Sequence, residues 1–306
     1  MLRRLIIVTF AGLLGLYLCA ASADNVTPDS IARPPGGALF KIQDGHHSLY
    51  LFGTIHVGAA DFYPLAPALM QALEHAPALA LEIDPANSAA LQTAVQQYGL
   101  YPADQSLSSQ LSAPLRQQLE TLLEKYHIAS ATVARMRPWM IATLLTMQEA
   151  ASDGFDSALA VDAYLANIAQ QQHKPVIELE GAARQLALLG ALDEHQQSLL
   201  LEDTIKEINA ARSTAELSAI TLCWRRGDLH GLQDMLDEMA ADQSFAGRFT
   251  KEVMIDQRNP LLADRLATLL TQQDGIVAAM GILHLAGANS VPALLQQRGL
   301  KVERIF

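Results

Sequence analysis

The sequence predicts an α/β fold, a central mixed sheet enclosed by a large helical region, and three observations predict it. Short apolar, β-rich runs recur at residues 38–43, 48–54, 78–83, 176–179, 276–280 and 300–306. Between them, over 102–172 and 181–273, Leu and Ala recur at three- and four-residue spacing with Gln and Glu interleaved, the pattern of amphipathic helices. Two of the apolar runs lead into the same four-residue form, Gly53-Thr54-Ile55-His56 and Gly281-Ile282-Leu283-His284. Each glycine therefore falls where a strand ends and each histidine just beyond it, which is where open α/β sheets keep their sites.

Taken in order, residues 1–23 carry a short basic start (Arg3, Arg4), an apolar stretch from Leu5 to Leu18 and the small-residue triplet Ala21-Ser22-Ala23. This is the form of a secretory signal peptide, and it places the mature chain in the periplasm or outside the cell. Residues 24–37, with Pro28, Pro34, Pro35, Gly36 and Gly37, read as a linker, and 38–306 as a single domain with a helical insertion at about 100–172. Asp44-Gly45-His46-His47 divides the first two strands as a hairpin turn. The third strand, 78–83, is almost continuously apolar, as a parallel strand covered on both faces should be. Lys174-Pro175 introduces the fourth strand, Gly275 the fifth, and 300–306 supplies a short sixth. Pro114, Pro138, Gly154 and Pro260 interrupt the helical stretches.

Loss of the leader lowers 21 basic residues to 19 against 32 acidic ones, a formal charge of −13, so nucleic acid is an unsuitable partner. Cys223 is then the only cysteine, so no intrachain disulfide forms, and its place beside Trp224 reads as a buried core thiol. No Gly-x-Ser-x-Gly elbow, His-Glu-x-x-His helix, phosphate-binding glycine loop or Cys-x-x-Cys pair occurs, which excludes conventional serine hydrolases, zincins, P-loop NTPases and thiol oxidoreductases.

The two Gly-x-x-His elements, with the acidic strand end Ala80-Leu81-Glu82-Ile83-Asp84, Glu178-Leu179-Glu180, Trp224-Arg225-Arg226-Gly227-Asp228 and Arg258-Asn259 in the same order, resemble the TraB/GumN family, which includes the animal TIKI metalloproteases. The resemblance spans nearly the whole mature chain. It implies a fold similar to those of erythromycin esterases and iron-regulated haem-binding proteins. It also favours Glu180 over Glu178 as the carboxylate facing the site, since the two flank Leu179 and point to opposite faces.

His56 and His284 lie 228 positions apart, so only a fold that sets the first and last core strands side by side brings them together. Either histidine alone would read as a structural residue bonded to backbone groups; the repeated context pairs them. Glu82 ends an apolar strand, where a carboxylate needs a metal or an arginine as partner. His56, Glu82 and His284 with open positions for water form a donor set for a divalent transition metal, with manganese or cobalt expected first and zinc next. The activity expected is metal-dependent peptide or ester hydrolysis, with Glu180 accepting the proton of water. Arg258 either meets a substrate carboxylate or developing oxyanion, or forms an ion pair. Two alternatives stand beside this: a haem- or metal-binding periplasmic protein, and a metal-free hydrolase in which His56 acts as base, oriented by Glu82. Expected partners are a peptide or small-molecule substrate and, through Ala- and Leu-rich helix faces, a second copy of the chain; no membrane is expected once the leader is gone.

Overall fold

The computed structural model describes residues 36–306. The signal peptide and most of the linker expected from the sequence lie outside the described residues. Among the described residues no helix is long and apolar enough to cross a membrane.

Six strands, β1 (Leu39–Gln43), β2 (Ser48–Thr54), β3 (Leu79–Leu81), β4 (Val176–Glu178), β5 (Ile276–Gly281) and β6 (Lys301–Arg304), form one sheet in the order β4-β3-β5-β2-β1-β6. The pairs β4–β3, β3–β5 and β5–β2 are parallel, whereas β2–β1 and β1–β6 are antiparallel, so the sheet is mixed. The expected hairpin turn forms at Gly45, whose φ of +98° suits glycine, while Asp44 Oδ1 accepts from the backbone N–H groups of His46 and His47.

Side-chain alternation along β5 shows why the sheet sits in the middle of the molecule. Val277 and Ala279 join one apolar cluster and Ile276, Ala278 and Met280 another, so a single buried strand feeds two cores on opposite faces. The first core is closed by residues from helices Pro67–His75, Val161–Gln171, Arg212–Arg226 and Leu229–Ala241, the second by helices Asn259–Gln272 and Val291–Gln297. A third core is almost wholly helical and joins residues from 83–145 to residues from 182–254. The stretch 100–172 therefore does not pack as one body: its earlier helices share that third core with the later helical region, while Val161–Gln171 lies on the sheet. Pro114, Pro138 and Pro260, which interrupt the sequence pattern, each occupy the first turn of a helix, where a missing N–H costs nothing. Cys223 is partly rather than fully buried: it packs against the first core from a half-exposed position.

Candidate active site

Parallel pairing of β3, β5 and β2 brings their C-terminal ends to one edge, with Thr54 opposite Gly281 and Leu81 opposite Ala279. His56 follows β2 by two residues, Glu82 follows β3 by one, and His284 lies in the 3-10 turn Ile282–Leu285 after β5. The glycine of the second Gly-x-x-His element provides the space between them. A Cβ placed on Gly281 would stand 3.5 Å from Glu82 Oε1, 3.6 Å from His56 Nε2 and 3.7 Å from His284 Cδ2. Three side chains from three strand ends thus surround a gap of about methyl size. All are buried: 9% of His56, 7% of Glu82 and 1% of His284 is exposed.

Both imidazoles are fixed from behind. His56 Nδ1 lies 3.1 Å from Asp162 Oδ2, and His284 Nδ1 lies 2.5 Å from Asn259 Oδ1. The Asn259 amide is oriented by its Nδ2, which donates to the Asn289 carbonyl at 2.8 Å, so its oxygen faces His284. A carboxylate and an amide oxygen can only accept, so each Nδ1 carries a proton, and in its neutral form each ring turns a bare Nε2 inward. Hydrogen bonds of this kind, from the rear nitrogen to an acceptor, orient histidines that bind metals.

Glu82 is held by three donors. Gly281 N–H donates to Oε1 at 2.6 Å, Gln185 Nε2 donates to Oε2 at 3.0 Å, and Arg258 donates a short bond to the same Oε2. Arg258, only 2% exposed, also donates from Nε and Nη2 to Glu180 and from Nη1 to the Met254 carbonyl. The sequence left Glu178 and Glu180 to be distinguished: Glu180 meets Arg258 and Gln185, whereas Glu178 accepts from the Asp84 backbone N–H at its own strand end. Both oxygens of Glu180 and all three guanidinium nitrogens are engaged. Arg258 thus bridges the two carboxylates, while its Nη1 keeps a second N–H beyond the bond to Met254. The partner that orients His56 is Asp162, not Glu82 as the metal-free reading expected.

Electrostatics separates the two imidazoles. Burial pushes the pKa of His284 down to about 3, and the Arg258 guanidinium adds to that effect. Burial also acts against protonation of His56, but the charge and hydrogen bond of Asp162 outweigh it and raise its value above 6.5. Burial likewise pushes the Glu82 carboxyl up, yet Arg258 and the two histidines more than offset this and hold it far below the usual carboxylate range. Below pH 6.5 the unfolded chain protonates residue 284 while the fold does not, so the stability due to neutral His284 is intact above 6.5 and lost progressively towards about 3. The raised His56 contributes in the opposite sense, fully below 6.5 and decreasingly as pH rises through its folded value. In urea titrations between pH 4 and 7, His284→Gln is expected to show a shallower acid-side loss of stability than the parent; equal slopes would refute a neutral, buried His284.

Sequence reasoning missed Asp162, Gln185 and the backbone N–H of Gly281, and gave no role to Asn259. Asp162 sits in the first turn of a helix, where a carboxylate reads as an ordinary partner of the helix dipole. Gln185 looks like one more glutamine of helical stretches that abound in them.

A sequence model of the TraB/PrgY/gumN family matches residues 38–304. The uncharacterized protein YbaP of Escherichia coli (strain K12) is 29% identical over 252 residues, covering 82% of this chain and 89% of YbaP. Metalloprotease TIKI1 of Danio rerio is 23% identical over 303 residues, covering 83% of this chain and 60% of TIKI1. No solved structure matches the chain. The family match takes in every strand and every residue of the site just described, and the chain belongs to the TraB/PrgY/gumN family.

Proposed function

We propose that this chain is an exported, metal-dependent hydrolase of peptide or ester bonds, with His56 and His284 as nitrogen ligands and Glu82 as oxygen ligand. The observation that carries the reading is the pair of imidazoles held with Nδ1–H outward and Nε2 turned towards Glu82 across the gap at Gly281. The donor set of two nitrogens and a carboxylate oxygen suits manganese, cobalt or zinc. Among the described residues no three such side chains already stand as a closed ligand group, in keeping with His284 Nε2 lying 4.0 Å from Glu82 Oε2. The fit rests instead on the gap, where a bound ion would replace space and not atoms. A divalent ion held there polarises a carbonyl and lowers the pKa of water. Asp162 and Asn259 keep both rings in the ligating tautomer, Arg258 keeps Glu82 ionised, and Glu180 balances the charge of Arg258. The family relationship and the distant similarity to a metalloprotease support hydrolysis as the class of reaction. A haem between the histidines finds no support in a gap of methyl size.

The test is elemental analysis of residues 24–306 purified from the periplasm, beside His56→Ala, His284→Ala and Gly281→Ala, after loading with manganese, cobalt or zinc. One metal per chain is expected in the parent, and a loss of about tenfold or more in each variant. Gly281 has φ −50° and its Cβ would meet nothing closer than 3.5 Å, so alanine fills the gap while the fold stands. Unchanged metal in all three variants, or full peptide or ester cleavage after exhaustive chelation, would overturn the reading.

A further inference from the structure

Two buried polar atoms beside His56 have no hydrogen-bond partner among the described residues: Thr54 Oγ1 and Asp162 Oδ1. Thr54 is 1% exposed and ends a strand whose neighbouring side chains, Leu51 and Phe52, are apolar and fully buried. Valine has the same shape and would pack there without a hydroxyl to satisfy. Asp162 spends Oδ2 on His56 and leaves its second oxygen buried and unused. Buried groups of this kind are rare and require an explanation.

Thr54, Asp162, His56 and Glu82 all line one partly enclosed cavity of about 20 Å³. A water molecule needs about 10–15 Å³ of such space and two to four polar partners. A threonine hydroxyl both donates and accepts, and a carboxylate oxygen accepts, so a single water bound between these atoms satisfies both orphaned groups.

We infer that Thr54 Oγ1 and Asp162 Oδ1 seat one water molecule on the His56 side of the site, and that Thr54 is the positioning residue for the water used in hydrolysis. The second half rests on the hydrolase reading; the first does not. Asp162 then has two separate tasks, one oxygen fixing the imidazole and the other the water, which places the water in constant register with the His56 ring. Proximity of this kind is worth much in rate, since displacement of a reactant by about 1 Å lowers turnover about a hundredfold.

The experiment compares residues 24–306 carrying Thr54, Thr54→Val or Thr54→Ser. Crystal structures at a resolution that shows ordered water are expected to place one water within hydrogen-bond distance of Thr54 Oγ1 and Asp162 Oδ1, to lose it in Thr54→Val and to regain it in Thr54→Ser. An empty cavity in the parent would overturn the water seat, whatever the metal analysis gives. On a peptide or ester substrate of the metal-loaded protein, kcat of Thr54→Val is expected to fall by about a hundredfold with KM and metal content unchanged, and Thr54→Ser to recover most of it. A fall in metal content with Thr54→Val, or an unchanged kcat, would overturn the positioning role. A parent that binds no metal but holds the water would sink the hydrolase reading and leave the seat standing.

Discussion

Arg258→Met is expected to lower the stability of the fold by about 3–5 kcal/mol, because it leaves two buried carboxylates facing each other without their shared cation. The side chains of Glu82 and Glu180 are 8% and 2% exposed, and among the described residues Gln185 would remain as the side-chain donor shared by both. Methionine fills similar volume, so the loss comes from uncompensated charge and not from a cavity. The deficit should therefore shrink as pH falls, since burial without Arg258 raises the pKa of Glu82 and protonation removes the repulsion. Arg258→Met combined with Glu180→Met should recover part of the loss, because removing both members of a buried pair is far cheaper than removing one. Urea midpoints for the two variants at pH 5 and pH 8 decide it: a single-variant midpoint equal to the parent's at pH 8 would mean that the carboxylates do not depend on Arg258.

The second large effect is expected at Gly58. A Cβ there would lie 1.7 Å from the Leu159 carbonyl oxygen and 2.4 Å from its carbon, backbone atoms that can yield only by moving the segment. That segment is fastened to the His56 strand end at several points. Gly58 and Asp156 exchange backbone hydrogen bonds at 2.8 Å, Val161 N–H donates to the Ile55 carbonyl at 3.0 Å, and Tyr63 Oη donates to Leu159 O at 2.6 Å. Asp162 comes directly after these contacts. Gly58→Ala is thus expected to cost about 1–3 kcal/mol by overpacking and, by displacing Asp162 from His56, to weaken metal binding about 10–100-fold. Urea titration and metal titration of the same sample test both halves. A destabilised variant that keeps the parent's metal affinity would show that Asp162 does not orient His56.

The sheet was legible in the sequence because its strands carry undiluted signals. Residues 276–280 are apolar on both faces, as a buried parallel strand must be, and the bounds of 48–54 and 276–280 agree with β2 and β5 within a residue. β3, β4 and β6 are shorter than the apolar runs that announce them: Ile83 and Leu179 stay buried past the last ladder hydrogen bond, whereas Ile305 beyond β6 is exposed. The repeated Gly-x-x-His element located two members of the site, and strand-end burial located Glu82. The residues that fix those three were not legible, for a physical reason. Asp162, Gln185 and Asn259 act through side-chain hydrogen bonds from helices far away in the chain, and a first-turn carboxylate, a helical glutamine and an asparagine before proline are what ordinary helices contain. The π-helical turn Thr250–Asp256, which precedes Arg258, was equally hidden, since a one-residue widening of a helix leaves the spacing of Leu and Ala almost unaltered.

The adjacency of β2 and β5 also has a temporal meaning. During synthesis the centre of the sheet stays without its middle strand until about nine-tenths of the chain exists, and closing so long a loop makes formation of this edge a late, slow event. Until then a nascent chain, or any fragment cut short before residue 284, owns at most one of the two imidazoles.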